Sequence, residues 1–229
     1  SDRLQTVRES IYAAFSAGDL MVDDAELDLS DESIRLARLL VELLPAQPES
    51  LGLLALLLYI DARRAARRSS DGLYVPLDQQ NAELWNHDQV DQAEKILESA
   101  SRLGRPGRYQ LEAAIQSAHM QRRHGGPTPW DSIVDLYEAL EHCHQATGVR
   151  VARSAAMLQA GRGQEALRLL DELPTGVVSD YQPYWAIRAH LLIDVSPAEA
   201  NECFTRAIGL SPDPAVRAYL TARKISMTS

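Results

Sequence analysis

The residues best suited to chemistry in this sequence are a His-Cys-His triplet and a run of arginines. His142, Cys143 and His144 are ligand types that zinc prefers. Adjacent residues of a helix point in different directions, however, and no second group of ligands follows at a useful spacing. We therefore predict no metal site and no cofactor, and we expect Cys143 and Cys203 to be reduced core or near-core residues.

The run of arginines, residues 61–68, is the densest basic cluster of an acidic chain. One interpretation makes Arg63, Arg64 and Arg67 a docking patch, because a guanidinium holds a carboxylate with two parallel hydrogen bonds. The alternative is a solvated helix end, whose cations interact favourably with the helix dipole. Both interpretations stay open at this point, and these three arginines are the predicted partner-contact residues.

Signatures of catalysis are missing from the sequence. It contains no Walker loop, no glycine fingerprint for a dinucleotide, no His-Glu-x-x-His motif and no Gly-x-Ser-x-Gly nucleophile elbow. Each of these motifs places reacting groups or phosphate-binding amides at a fixed spacing that chemistry requires. We therefore expect that the chain is not an enzyme.

Charge and hydropathy favour a protein partner over DNA or a membrane. The formal net charge is -9, and nucleic-acid affinity comes largely from cationic side chains that release counterions from phosphates. The longest apolar run, Leu51 to Ile60, is too short to span a bilayer, and no signal peptide opens the sequence. We expect a soluble, cytoplasmic protein that does not bind DNA directly.

Helices must position all of these residues, because the composition and the apolar spacing both favour helix. The first helix is predicted over residues 3–17, and Ser30 is predicted to cap the second after an acidic connector, residues 19–31. Residues 51–66 are apolar nearly all round in their first half, so this helix should be buried on several sides. Residues 67–80 are rich in Ser, Asp, Gly and Pro and should form the longest loop.

The rest of the chain continues the helical pattern with Gly and Pro between its segments. Further helices are predicted over residues 81–103, 105–124, 130–144, 149–160, 164–173, 179–194, 197–210 and 214–224. We predict an N-terminal helical part, residues 1–104, and helical repeats, residues 105–229, joined in one continuous array.

Internal repetition is the most specific signal in the sequence. A shift of 34 residues, the tetratricopeptide period, places Ala166 on Ala200 and Leu170 on Phe204. The small residue lets two helices approach closely, and the bulky residue fills the gap between successive pairs. The predicted repeat-packing residues are Ala166, Leu170, Ala189, Ala200, Phe204 and Ala207. One step backward, Ser132, Leu136 and Ala139 have the same spacing.

This repeat predicts an all-α fold of stacked antiparallel helical pairs, a tetratricopeptide-like right-handed array with a terminal capping helix. Five pairs precede the capping helix in this prediction. The alternative is an irregular helical bundle whose periodicity arises by chance, and it is weakest for the last three pairs.

Several local sequences together resemble a known family, the extracytoplasmic-function sigma factors that carry a tetratricopeptide-bearing C-terminal extension. The stretches that resemble the extension are Ile34-Arg35-Leu36-Ala37-Arg38-Leu39-Leu40, Leu51-Gly52-Leu53-Leu54-Ala55-Leu56, Asp61-Ala62-Arg63-Arg64, Leu103-Gly104-Arg105-Pro106-Gly107, Tyr109-Gln110-Leu111, Ala113-Ala114-Ile115, Trp130 and Leu136-Tyr137. Their order and spacing are similar to that extension along nearly the whole chain. The sequence departs from the family at residues 16–19 and 153–154, so roles tied to those positions are not implied.

The resemblance implies a regulatory extension of a transcription initiation factor. In that family the polymerase-binding and promoter-reading domains lie N-terminal to the extension, so we expect them to precede residue 1 and to be absent from this chain. RNA polymerase and promoter DNA would be bound through those domains. This chain would contact its own sigma domains or a regulatory protein.

A second hypothesis is a free-standing tetratricopeptide scaffold that clasps a peptide or a protein in its concave groove. The two hypotheses differ in what the gene encodes. The first predicts two further helical domains upstream, one with a helix-turn-helix, and the second predicts a start codon near residue 1.

Overall fold

The computed structural model describes residues 2–19 and 24–228, and within these ranges the chain is almost wholly helical. Twelve α-helices pack mainly in pairs, and the described backbone forms no β-strand beyond one isolated bridge between Arg68 and Tyr74. The prediction of an all-α array of helical pairs is therefore confirmed. In the described part of the chain, no helix is both long and apolar enough to cross a bilayer.

The first of two compact units comprises Ser1–Ala65 and Ala82–Pro127. Its helices are α1 (Asp2–Asp19), α2 (Asp24–Leu43), α3 (Pro48–Ala62), α4 (His87–Ser101) and α5 (Arg108–Met120). Helix α3 contacts each of the other four helices. Every residue from Ser50 to Tyr59 is buried, as the all-round apolar sequence predicts.

The second helix begins earlier than the sequence predicted. Ser30 does not cap it, because α2 already begins at Asp24 and Ser30 is buried inside it. Acidic residue types suit the first turns of a helix, where they interact favourably with the helix dipole, and this explains why the acidic stretch continues as helix. Residues 20–23 of the predicted connector lie outside the described residues.

The fourth helix, in contrast, begins later than predicted. A 3-10 turn, Ala82–Leu84, and the buried Trp85 occupy the place where helix was expected. Asn86 then caps α4, since its side-chain oxygen accepts a hydrogen bond from the backbone N–H of Gln89 at 3.1 Å. The predicted start at residue 81 is wrong, and the helix begins directly after this cap, at His87.

The second unit comprises Ala66–Asn81 and Thr128–Ser229. Its helices are α6 (Trp130–Cys143), α7 (Thr147–Gln159), α8 (Gly163–Asp171), α9 (Thr175–Val178), α10 (Gln182–Leu192), α11 (Pro197–Leu210) and α12 (Pro214–Thr228). Helix α10 packs against both α7 and α8, and it pairs with α11, which contacts α12. The two units divide between residues 127 and 128 and on either side of residues 66–81, whereas the sequence predicted a change of organisation after residue 104.

The structure buries all six residues that the repeat assigned to packing. Ala200, Phe204 and Ala207 lie in one apolar cluster of the second unit with Ala189 and Leu220. Ala166 and Leu170 of α8 are likewise fully buried.

The backward step of the repeat onto α6 is wrong. Ser132 and Ala139 are exposed, whereas Ile133, Val134 and Leu140 are buried. Small residues therefore do not mark the close helix contact in α6. The bulky residues Ile133 and Leu140, seven positions apart, turn toward the interior instead.

The helix predicted over residues 179–194 begins later, at Gln182. The structure has the short α9, a turn, and then α10 from Gln182. The indole N–H of Trp185 donates to the carbonyl oxygens of Val178 and Ser179, at 3.1 and 3.0 Å. These two hydrogen bonds satisfy backbone carbonyl groups that would accept hydrogen bonds from the next turn of a continuous helix. The turn is therefore stable, although the sequence pattern predicts helix there.

The predicted long loop belongs to the second unit and packs there. We call residues 66–81 the strap. Within the strap, the backbone N–H of Val75 donates to the carbonyl of Arg67 at 2.9 Å, and Gly72 takes the left-handed φ of 77° that the turn requires. The ring of Tyr74 meets that of Tyr219 in α12 edge to face, with centroids 5.8 Å apart.

A histidine beside the strap makes the second unit sensitive to acid. Burial, and then the nearby Arg223, lower the pKa of His190 to about 4, although Asp78 opposes the shift. The folded protein thus binds this proton less tightly than the unfolded chain does. Above pH 6.5, His190 is neutral in both states and this effect does not reduce the free energy of unfolding. As the pH falls from 6.5 toward 4, the free energy of unfolding decreases by roughly 1.4 kcal/mol per pH unit.

We expect that His190→Gln makes the free energy of unfolding less dependent on pH between 6.5 and 4. Urea denaturation at several pH values measures this slope, which separates the titration from the lost ring contact with Phe204. His142→Gln is the matched control, because the ring of His142 is exposed. Equal slopes for the wild type and both variants would contradict the assignment.

Candidate protein-interaction surfaces

The basic segment begins where α3 ends, and its first arginine is buried. Arg63 is only 7% exposed, and its guanidinium donates to the side-chain oxygen of Gln116 in α5 at 2.8 Å. His119 lies close by, and burial together with the charges of Arg63 and Arg122 lowers its pKa to about 4. Burial leaves Arg63 little surface to offer a partner, in contrast to the exposed patch that the sequence indicated.

Arg64 is held between two carboxylates of the first unit. It forms ion pairs with Asp31, at 3.0 Å, and with Asp61. Asp61 also accepts a hydrogen bond from the amide of Gln89 at 2.7 Å. About a third of the Arg64 side chain stays exposed. Arg64 therefore links α2, α3 and α4 while it keeps an accessible edge.

The remaining arginines of the segment lie in the strap. Arg68 forms a bidentate ion pair with Asp213, at 2.6 and 3.4 Å. Burial raises the pKa of Asp213, but the bonds from Arg68 and from the backbone N–H of Ala215 outweigh it and hold this pKa below its usual value. Arg67 is half-buried. Partner contact by Arg63, Arg64 and Arg67 stays a prediction.

We expect that Arg64→Glu lowers the stability of the chain by about 1 kcal/mol, because it removes two ion pairs and places a third carboxylate beside them. The urea midpoint measures this loss. Arg102→Glu is the control, since the ion pair of Arg102 with Glu98 is exposed to solvent. If the two variants have the same midpoint, the ion pairs of Arg64 do not contribute to folding.

A carboxylate from α3 caps the start of α5. Glu49 accepts hydrogen bonds from the backbone N–H groups of Tyr109, at 3.0 Å, and Gln110, at 3.2 Å. Gly107 leaves room for this cap, because a Cβ there would lie 2.5 Å from the carboxyl carbon of Glu49. Sequence reasoning missed this contact. The signal for it was a helix start without a capping side chain of its own.

An arginine and two tyrosines pack beside that cap. The Tyr12 and Tyr109 rings meet edge to face with centroids 5.8 Å apart, and Arg108 lies 5.3 and 5.1 Å from their centres. Arg108 also pairs with Glu112 at 2.7 Å. Burial raises the pKa of Tyr109 to about 12. The family-like stretch around Tyr109 thus fixes how α1, α3 and α5 meet.

The second unit contains a polar cleft of about 300 Å³. It is lined by Glu141, Gln145, Ala146, Thr147, Arg150 and Leu173. Arg150 bonds to Glu141 at 2.6 Å, and Arg153 bonds to Glu141 and Glu138 at 3.1 and 2.7 Å. Burial alone would raise the pKa of Glu141. The hydrogen bonds and charges of Arg150 and Arg153 have the larger effect, so the pKa of Glu141 lies below its usual value. The charges therefore compensate one another, as in a structural ion-pair network.

The His-Cys-His triplet does not converge on one point. The ring of His142 bonds to the carbonyl oxygen of Glu138 at 2.7 Å, and the thiol of Cys143 donates to that of Leu140 at 3.3 Å. Among residues 2–19 and 24–228, no group of three or more His, Cys, Asp or Glu side chains is placed to hold a metal ion. Cys143 is exposed, contrary to the core or near-core position predicted for it, and Cys203 is buried.

Comparison with known proteins finds two similarities. Residues 3–101 match a family of unknown function, DUF6596, and this match ends at the last residue of α4. Over 224 residues, 96% of the chain, the sequence is 36% identical to an uncharacterized protein of Rhizobium meliloti (strain 1021). The chain spans about half, 53%, of that relative's length. It is thus similar, along nearly all of its length, to one part of a longer protein.

Proposed function

We propose that the chain is the regulatory, protein-binding part of an extracytoplasmic-function sigma factor. The observation that carries the binding role is the packing of α10 against both helices of the preceding pair, α7 and α8. Successive pairs stacked in this way form an extended surface typical of tetratricopeptide scaffolds, which bind other polypeptides. We propose no enzymatic activity and no cofactor.

The role in transcription rests on the family resemblance of the local sequences. It is supported by the similarity to one half of a longer protein, which leaves room for sigma domains elsewhere in the full-length chain. RNA polymerase and promoter DNA would bind those domains in the cytoplasm. Arg64 and Arg67 are the basic residues that we propose for contact with the sigma domains or with a regulatory protein, whereas the burial of Arg63 suits a supporting role.

Transcription in vitro tests this proposal. The full-length gene is read first, and a gene without a helix-turn-helix domain would overturn the proposal. The full-length protein and a variant lacking residues 1–229 are then compared with purified RNA polymerase on genomic DNA, with transcripts counted by sequencing. We expect promoter-specific transcription to change at least tenfold, and an unchanged transcript profile would reject a regulatory role.

The second candidate, a free-standing tetratricopeptide scaffold, is favoured by the same stacking of helical pairs. It predicts a complete gene of about the length of this chain. The gene sequence therefore separates the two candidates before any assay.

We expect the isolated chain not to bind random duplex DNA, because its net charge is -9 and phosphate contacts need clustered cations. Fluorescence anisotropy with a labelled 30-base-pair duplex at low salt measures this. Salt-sensitive binding with a micromolar Kd would contradict the expectation.

A further inference from the structure

Helix α2 has two apolar faces, but its own fold buries only one of them. The buried face contains Ser30, Ser33, Ile34 and Ala37. A second face, which we call the leucine face, contains Leu29, Leu36, Leu39 and Leu43. Leu29, Leu36 and Leu43 recur every seven residues, so they form one line along the helix over about 21 Å.

The leucine face is open to solvent. The exposed fractions are 39% for Leu29, 41% for Leu39 and 68% for Leu43, Leu36 between them is half-buried, and Leu44 directly after the helix is 39% exposed. Isolated exposed leucines are common on protein surfaces, but several of them along one helix face mark a binding surface.

Charge selects the occupant of this face. Residues 24–43 contain six acidic and two basic side chains, a net charge of -4. Within this set, Arg35 pairs with Glu32, Arg38 donates to Gln92 at 2.9 Å, and Asp31 pairs with Arg64, so the unbalanced charge of the helix is negative. A second copy would bring the same acidic helix against this one in a chain of net charge -9. A basic partner is attracted instead.

We propose that the leucine face of α2 binds an amphipathic helix of a partner whose apolar ridge is flanked by lysine or arginine residues. Apolar side chains of that helix pack between Leu29, Leu36, Leu39 and Leu43, and its cations are attracted by the net negative charge of α2. This inference rests on the proposed protein-binding function and names the chemistry of the partner.

The test uses the complete chain and a labelled 18-residue helical peptide with leucines on one face and lysines beside them. We expect binding with a micromolar Kd that weakens as salt rises. The double variant Leu39→Ser/Leu43→Ser weakens binding at least tenfold. The matched control is Leu84→Ser/Leu103→Ser, because those leucines are 52% and 41% exposed in the same unit but lie outside the leucine face. A peptide with glutamate in place of lysine should not bind.

Three results would overturn the inference. The first is equal binding by the two double variants, and the second is equal binding of the lysine and glutamate peptides. The third is self-association of the wild type in analytical ultracentrifugation that the leucine variant abolishes, because it would make a second copy the occupant. A variant with the wild-type thermal midpoint is folded. If Leu39→Ser/Leu43→Ser is not folded, the single variant Leu43→Lys replaces it in the binding test.

The transcription assay separates this inference from the proposed function. If the chain still regulates transcription although no peptide binds its leucine face, only the docking surface is rejected. If the peptide binds at the leucine face but deletion of residues 1–229 leaves the transcripts unchanged, only the sigma-factor role is rejected.

Discussion

Replacing Ala200 with arginine is expected to destabilise the chain by about 3 kcal/mol or more. Ala200 has no exposed surface and lies in one cluster with Ala189, Phe204 and Leu220. The arginine would have to displace these neighbours and would also bring a charge without a partner into an apolar site. The repeat predicts this position because only a small residue lets α10 and α11 approach closely.

Chemical denaturation followed by circular dichroism measures the effect of Ala200→Arg. The control is Glu202→Arg, which introduces the same side chain at an exposed position of the same helix. We expect the control to keep the wild-type midpoint. A wild-type midpoint for Ala200→Arg as well would show that α11 does not pack through this residue.

Replacing Gly52 with valine should have a comparable effect in the first unit, again about 3 kcal/mol or more. A Cβ on Gly52 would lie 2.7 Å from the backbone nitrogen of Gln110 and 2.8 Å from its Cγ. The backbone atom cannot rotate away, so α3 and α5 would have to separate. That movement would also pull Glu49 from the N–H groups that it caps.

The variant Gly52→Ala distinguishes the steric clash from the intrinsic helix propensity of the new residue. Alanine normally stabilises a helix relative to glycine by up to about 1 kcal/mol, and we expect this gain at Gly209, where nothing would contact the added Cβ. Gly52→Ala should instead lower the denaturation midpoint, although less than valine does. A rise in the midpoint at both positions would contradict the close approach of α3 and α5.

Local patterns in the sequence were sufficient to find most of the helices. Helix α11 has the predicted bounds, Pro197–Leu210, because a proline begins it and its apolar spacing continues until Ser211. The repeat spacing also identified Ala200 and Phe204, whose burial follows from residue size and periodicity alone. The same reasoning was wrong for α6, where Ser132 and Ala139 have the spacing but are exposed.

The candidate surfaces were harder to predict. The sequence shows a basic segment, but whether an arginine is buried depends on side chains far away in the chain, such as Gln116 for Arg63. The apolar leucines of α2 are equally visible in the sequence. Which of them are exposed depends on which face the neighbouring helices cover.

The sequence by itself determined the helical class, the repeat spacing and the acidic charge of this protein, because residue type and local spacing set them. Only the tertiary structure decided that the strap packs in the second unit through Arg68 and Asp213, 145 positions apart, and that Glu49 caps a helix 60 positions later. Periodicity shows which face of a helix is apolar but does not name the neighbour that covers it. The neighbour that covers each face is determined by how the side chains of the folded chain pack together. In this packing the leucine face of α2 stays largely exposed.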